Sequence, residues 1–286
     1  MTKSMHSKTI VITGASTGIG KACALHLDKL GYQVFAGVRT ETDALSLQDA
    51  SSDRLTTFYI DIAKSESILS ATNMLKSTLK SVGLDGLINN AGIVVAGPLE
   101  FVPIDSLRSQ LEINVIGHIA VTQALLPLLR QAQGRIINMS SVSGRVATPF
   151  LGPYAASKFA LEALSDSMRL ELMPWDINVS VIEPGPISTP IWTKSIEATK
   201  LMIDKLPKKA KVLYGPAFQA ALLWENNIEQ SMSKPDVVVR AVIHALMSRR
   251  PRTRYRIGVS GFVADIFARF LPDILKDWII KRQRKL

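Results

Sequence analysis

The turn that follows the first apolar run constrains this chain more than any other feature. Thr9-Ile-Val-Ile-Thr13 is β-branched and of strand length, and Gly14-Ala-Ser-Thr-Gly18-Ile-Gly20 follows it directly. Ala22, Leu25, Leu27 and Leu30 then recur at helical spacing as far as Gly31, a residue suited to a helix C-terminus. A strand that turns through glycines into a helix leaves free N–H groups at the helix start, where the helix dipole also favours negative charge. The order Gly-x-x-x-Gly-x-Gly departs from the Gly-x-Gly-x-x-Gly fingerprint, but its place between first strand and first helix points to a nucleotide. Gly14, Ser16, Thr17, Gly18, Ile19 and Gly20 are therefore candidate cofactor contacts, with the two hydroxyls as added donors.

The alternation continues along the chain. Gln33 to Val38, Leu55 to Ile60, Gly86 to Asn89, Arg135 to Met139 and Asn178 to Glu183 read as strands. Ser65 to Val82, Ile113 to Arg130 and Tyr154 to Leu172 read as helices. Strands separated by helical segments predict an α/β fold, a Rossmann-type doubly wound parallel sheet with helices on both faces. At 286 residues a single large core is expected. The dinucleotide-binding and catalytic domain is placed at 1–257. Pro184 to Lys234 breaks the pattern with five prolines and no strand. An insertion of that length in a compact domain is a lid or substrate loop, placed at about 187–234. A helix is expected from near Pro235, a last strand over Arg254 to Val259, and a basic amphipathic extension over 258–286.

The end of the second strand separates the two nicotinamide cofactors. A carboxylate there bonds the ribose hydroxyls of NAD, whereas a cation accommodates the extra phosphate of NADP. The chain has Gly37-Val38-Arg39 and no acid before Glu41, so Arg39 is read as a guanidinium facing a phosphate. NADP(H) is expected over NAD(H).

With Thr13-Gly-Ala-Ser-Thr-Gly-Ile-Gly20, Asn89-Asn-Ala-Gly92, Asn114, Ser141, Tyr154-Ala-Ala-Ser-Lys158 and Pro184-Gly185, the sequence resembles the short-chain dehydrogenase/reductase family. The likeness runs from about Lys8 to Thr189, and the stretch Gly152 to Glu162 with the basic C-terminal extension looks most like the hydroxysteroid and retinol dehydrogenase-like members. The resemblance implies a seven-stranded sheet. It implies that Asp61 and Ile62 hold the adenine ring, and that Asn89, Ala91 and Gly92 line the cofactor cleft and stiffen the sheet. It further implies that Pro184 to Thr189 packs on the nicotinamide, with Ile187 and Thr189 bonding its carboxamide, and that Lys158 bonds the nicotinamide ribose beside Tyr154. The alternative to an oxidoreductase is an NADP(H)-binding sensor or scaffold without turnover.

Hydride transfer to a carbonyl carbon leaves charge on oxygen that must be protonated. A free tyrosine, with a pKa near ~10, is a poor base at neutral pH. Tyr154 and Lys158 are four residues apart and share a helix face, so the ammonium is expected to favour the phenolate. Ser141 follows a strand and can hydrogen-bond the reacting oxygen. Ser140 competes for that role, and the family spacing of thirteen residues to Tyr154 selects Ser141. Asn114 sits among Ile113, Val115 and Ile116, where a buried amide must find partners. In the family that asparagine holds a water linking the lysine to solvent.

The substrate is expected between Ile93 to Pro98, Ser143 to Leu151 and the lid. Val94, Val95, Phe150, Leu151 and Trp192, with Ser141, are the candidate contacts. Ile196, Leu213, Tyr214, Phe218 and Trp224 add apolar surface from the lid, which also carries Lys194, Lys200, Lys205, Lys208, Lys209 and Lys211. A mainly lipophilic substrate follows, of steroid, retinoid or long-chain type.

From Arg249 to Leu286 eleven Lys and Arg face three Asp, so the C-terminal end carries +8 of the chain's net +10. Its apolar residues, from Phe262 to Ile280, recur at helical spacing. They suit a helix on an anionic membrane surface, on the substrate pocket or on a second subunit. A homo-oligomer, dimer or tetramer, is expected. Nucleic acid is not, since no recognition motif accompanies the basic residues. The single cysteine, Cys23, favours a reducing compartment and core packing. No secretory signal and no membrane-spanning apolar stretch are read, so a cytoplasmic protein, free or membrane-associated, is expected. The four histidines lack metal-ligand spacing, and no metal is expected. Asn138-Met-Ser140 and Asn178-Val-Ser180 match a glycosylation pattern but fall in strands read as buried.

Overall fold

In the computed structural model, residues 8–193, 197, 201, 204, 206–229 and 232–284 are described. Seven strands, β1 (Thr9–Ile12), β2 (Gln33–Val38), β3 (Leu55–Tyr59), β4 (Gly86–Asn89), β5 (Arg135–Met139), β6 (Asn178–Pro184) and β7 (Arg254–Ile257), form one sheet. All neighbours are parallel, in the order β3-β2-β1-β4-β5-β6-β7. Side chains alternate across a strand, so β1 serves two cores. Ile10 and Ile12 join Val34 and Ala36 on one face, while Val11 joins Phe35 and Leu87 on the other.

Helices α1 (Gly18–Lys29) and α2 (Glu41–Gln48) cover the first face, with Cys23, Ala24, Leu27, Ala44 and Leu47 buried. Burial pushes the Cys23 thiol up to about 12, as small core packing requires. Helices α3 (Ser65–Leu79) and α4 (Ile104–Leu111) lead to α5 (Gly117–Ala132) and α6 (Gly152–Glu171). On the second face α3 packs Ile68, Ala71 and Leu75, and α5 packs Val121, Leu125 and Leu129. Gly31, at φ +88, ends α1: its N–H bonds Asp28 O and the Tyr32 N–H bonds Leu27 O.

Several readings of the sequence change. Helix α2 is unexpected because only Ala44 and Leu47 face inward, too few for a visible period. The helix expected from Ile113 begins earlier: α4 passes through a π-helical turn (Glu112–Ile116) into α5. The resulting stretch, Ile104–Ala132, is long and apolar enough by length and composition to cross a bilayer, against the expectation that none is. Its apolar side, however, packs on the sheet.

The lid segment, read without regular structure, contains α7 (Lys208–Glu229), and Ile187 forms a parallel bridge with Ser233. Pro207, just before α7, accepts from the Ala210 and Lys211 N–H groups and so opens the helix. After α8 (Asp236–Met247), which joins the first face, and β7, the single tail helix is instead two, α9 (Gly258–Phe270) and α10 (Asp273–Arg284). Pro272 separates them, since proline donates no helical hydrogen bond and disfavours helix at the residue before it. Asn138 is buried, but Asn178 is exposed at the first residue of β6.

Candidate active site

The strand order reverses between β1 and β4, and in open α/β sheets ligands bind outside the strand ends at such a point. Gly14 and Gly18 hold φ of +64 and +57, a region costly for other residues. A Cβ on Gly14 would stand 2.7 Å from Ala91 Cα, and one on Gly20 only 2.2 Å from Gly14 O. Gly18 faces Thr189, where a Cβ would lie 3.1 Å from the threonine Cβ. The turn is thus wedged between the loop after β4 and the segment after β6. Thr17, the N-cap of α1, makes no side-chain capping bond, so the first helix amides are left for another acceptor.

Asn90, not singled out in the sequence, braces this turn. Its Nδ2 donates to Thr13 O at 3.1 Å and Gly14 O at 3.0 Å, and its N–H donates to Thr13 Oγ1. Its neighbour Asn89 bonds inside the sheet. Fully buried, it donates to Thr122 Oγ1 and Asn138 Oδ1, both at 2.9 Å. Ala91 is half-buried and Gly92 exposed beside Asn114. Asp61 accepts from the Ala63 N–H, whereas the Ile62 side chain lies in the core and only its backbone remains for a ligand. Arg39 is exposed at the end of β2, and the nearby Asp43 is engaged with the Thr40 cap of α2. Pro184 and Ile187 are buried, and Gly185 and Thr189 half-buried. Bare glycine backbone and an uncapped helix start fit the pyrophosphate of a nicotinamide dinucleotide.

The reacting side chains come from β5, the π-turn and α6. Ser141 caps the short 3₁₀ turn Val142–Gly144, its Oγ accepting from the Ser143 N–H at 3.1 Å, and it faces the Tyr154 hydroxyl closely enough to favour the phenolate. Ser140 is buried and faces Glu162, its Oγ without a hydrogen-bond partner among the described residues, so the two serines face different groups. The Lys158 Nζ donates to Met139 O at 2.7 Å and lies 5.6 Å from the Tyr154 ring centroid. Burial pulls the Lys158 ammonium down to about 8, against the pull of Glu162. Burial pushes the Tyr154 hydroxyl up, only partly offset by Ser141. This departs from the expected lowering, because the ammonium is drawn to a carbonyl and lies over the ring.

Asn114 has 0% exposure within the π-turn, a distortion frequent at functional sites. Its amide accepts from the Ile93 N–H and donates to Ile93 O and Ser157 Oγ. Gln110, also unanticipated, accepts from the Val95 N–H at 2.6 Å and donates to Ile93 O. Together they fix the Ile93–Val95 strip, where Val94 and Val95 are half-buried.

Gly97 N–H bonds Phe150 O at 2.7 Å and joins that strip to the loop before α6. Phe150, at φ +69, Leu151 and Trp192 are half-buried. Helix α7 lays Tyr214 and Phe218 on Phe150 and Phe101, and the Tyr214 hydroxyl donates to Glu100. The lid lysines Lys208, Lys209 and Lys211 and Leu213 are exposed. Lys194, Ile196, Lys200, Lys205 and the Trp224 side chain lie outside the described residues.

The family model described as short chain dehydrogenase matches residues 8–200. Retinol dehydrogenase 5 of Mus musculus is 39% identical over 283 residues, covering 96% of this chain and 89% of the relative. 17-beta-hydroxysteroid dehydrogenase type 6 of Bos taurus is 39% identical over 284 residues, covering 97% and 89%. A solved short chain dehydrogenase from Burkholderia cenocepacia in complex with NADP superposes with a TM-score of 0.71 at 25% identity, over 97% of this chain and 98% of that one. The glycine turn at the sheet's switch point, the Ser141–Tyr154 contact and these matches agree, and the chain belongs to the short-chain dehydrogenase/reductase family of oxidoreductases acting on CH–OH groups.

Proposed function

We infer that the chain interconverts a lipophilic alcohol and its ketone or aldehyde, of steroid or retinoid type, with NADP(H) as the preferred cofactor. The observation carrying this reading is the juxtaposition of Ser141, Tyr154 and Lys158, whose Nζ lies 5.6 Å from the tyrosine ring, beside a lid that offers Tyr214 and Phe218. When bound, the nicotinamide supplies or accepts the hydride. Tyr154 holds the proton that the carbonyl oxygen takes up, and its raised pKa keeps it in the acid form until a charged partner approaches. Ser141 donates to the same oxygen as charge develops. Lys158, charged below about 8, provides the positive field that lets Tyr154 release its proton. Asn114 holds the Ile93 strip and the start of the route from Lys158 towards solvent.

The glycines, Ser16, Thr17 and Ile19 hold the pyrophosphate side of the cofactor, Arg39 the extra phosphate, and the Pro184–Thr189 segment the carboxamide. Val94, Val95, Phe150, Leu151 and Trp192 flank the substrate. Residues 1–257 act as one catalytic domain with its lid, and 258–286 as an extension. A second copy of the chain would cover Phe159, Leu164 and Leu170, which α6 leaves exposed. The exposed apolar residues of α9 and α10, among basic side chains, support peripheral contact with an anionic membrane from the cytoplasm. The sensor reading has no observation in its favour.

The test is turnover of retinal, a 17-ketosteroid and a short polar ketone with NADPH and NADH, wild type against Tyr154→Phe. Lipophilic compounds should turn over, and Tyr154→Phe should lose about 10³-fold, within the range of general acid catalysis. NADPH binding without turnover of any compound, or preference for the small polar ketone, overturns the reading.

A further inference from the structure

Behind the reacting residues lies a group of buried charges that the chemistry above does not use. Arg145 follows the Ser141 turn and donates through Nε and Nη2 to Glu183 at 3.0 and 2.6 Å, and through Nη2 to Glu162 at 3.3 Å. Arg254 of β7 donates to Glu162 at 3.0 Å and Asp166 at 2.5 Å, and lies 3.4 Å from Glu183. Arg256 lies 3.8 Å from Glu183. Glu162 and Glu183 are 5% and 1% exposed, so two carboxylates share an interior that either would leave without the guanidiniums between them. Three cations and three carboxylates balance. Two of the basic residues counted in the C-terminal end therefore serve the interior.

The location is what gives this cluster a role. Arg145 leaves the turn that Ser141 caps, Glu162 follows Lys158 by one turn of α6, and Glu183 precedes Pro184-Gly185. A Cβ on Gly144 would stand 3.1 Å from Glu162 Cγ, so the turn sits directly on this side chain. Each of the three segments carrying reacting or cofactor-facing groups thus ends on one carboxylate–guanidinium cluster. We propose that Glu162 is a positioning residue for the reaction, which through Arg145 and Arg254 fixes the Ser141 turn, the Tyr154–Lys158 helix and the Pro184 strand end in one register.

Glu162 also acts on Lys158 through its charge. It faces Arg145 from the turn, Ser140 from the end of β5, Glu183 from β6, Arg254 from β7, and Lys158 and Asp166 along α6. Lys158 faces Tyr154, Met139 O and His118 of α5, an imidazole that burial holds neutral down to about 3. Glu162 is therefore the carboxylate that opposes the fall of the Lys158 pKa.

The proposal rests on the Tyr154–Lys158 reading, and the test separates the two. Glu162→Gln keeps volume and removes charge. With retinal and saturating NADPH, kcat should fall about tenfold with KM within twofold, and the alkaline limb of the carbonyl-reduction profile should move down by about one pH unit. Asp166→Asn, half-exposed on the same Arg254, should leave kcat within twofold and the limb in place. A folded Glu162→Gln protein, judged by its thermal midpoint, with wild-type kcat and pH profile overturns the proposal, as does an equal loss in Asp166→Asn. Should Glu162→Gln not fold, Glu162→Asp carries the test: the charge remains but its reach shortens, so kcat drops while the limb stays, and an unchanged kcat overturns it. Full activity in Tyr154→Phe would instead remove the underlying reading of the site.

Discussion

The strand ends around Thr13, Asn90 and Asn114 and the C-terminal pair α9 and α10 use polar and apolar groups in opposite ways. At the strand ends polar side chains are enclosed, and Thr13, Asn89, Asn90, Gln110 and Asn114 each find a protein partner. In the tail large apolar side chains are uncovered: Phe270 is 75%, Ile274 83% and Trp278 57% exposed. A buried polar group without a partner costs on the order of 1–3 kcal/mol, so the first arrangement is fixed by its own contacts. An exposed aromatic costs little until something covers it, so the second is set by what it meets. The site is a closed structure that tolerates little change, and the tail is an open one whose role depends on its surroundings.

The largest test of the closed half is Gly20→Ala. Its Cβ would meet Gly14 O at 2.2 Å, a backbone atom that cannot swing aside. Overpacking costs about 1–3 kcal/mol or more, and the upper end applies here, so NADPH affinity by fluorescence titration should fall about hundredfold. Gly31→Ala gives the contrast. It has open space around the new methyl and suffers only from its φ of +88, so the thermal midpoint should drop while NADPH affinity holds. Equal affinity in both variants would show that the turn does not approach the cofactor.

The contrast also explains what could be read from the sequence. Thr9 to Gly20 announces itself because strand, turn and helix are each forced by adjacent residues. Tyr154 and Lys158 are legible because helical spacing puts them on one face. The direction of the tyrosine's pKa is not, because burial sets it, and burial comes from segments distant in the chain, with the Lys158 Nζ drawn to Met139 O nineteen residues away. The bracing residues Asn90 and Gln110 and the Arg145–Glu162–Glu183–Arg254 cluster join positions up to 109 residues apart in number, as between 145 and 254. No local pattern marks them. Arg254 looked like tail basicity for the same reason. Helix α4 and the break at Pro272 were readable in principle, the first from Pro103 before Ile104, the second from the proline itself.

Arg39 lies at the edge of the closed half, exposed, and among the described residues it forms no ion pair with a carboxylate. A charge-assisted hydrogen bond contributes about 1.5–3 kcal/mol. Arg39→Asp should therefore raise the NADP KM between tenfold and hundredfold while lowering that for NAD, in steady-state assays with both cofactors. Equal KM changes for the two would mean that Arg39 supports the β2 end and does not read the phosphate. This sharpens the comparison, since Arg39 would be an exposed residue specified by its ligand alone.

The smallest expected effect belongs to the tail, where it is also the most discriminating. Arg282 stacks over Trp278 at 5.4 Å, and Lys281 is exposed beside it, so the aromatic and the charges share one end of α10. An anionic bilayer would take both, the ring at the headgroup level and the cations at the phosphates. Each Lys or Arg near such a surface contributes about 1 kcal/mol. Lys281→Gln in the full chain should lower co-sedimentation with phosphatidylserine-containing vesicles about fivefold, leave the weak binding to phosphatidylcholine vesicles unchanged, and lose its effect in high salt. Turnover of a soluble ketone should stay within twofold, because α10 packs on the lid helix α7 and the Lys281 side chain is exposed. If the wild-type chain ignores both vesicles and its mass in solution doubles, with Trp278→Glu restoring the monomer, the apolar face belongs to a second copy and the tail is as closed as the site.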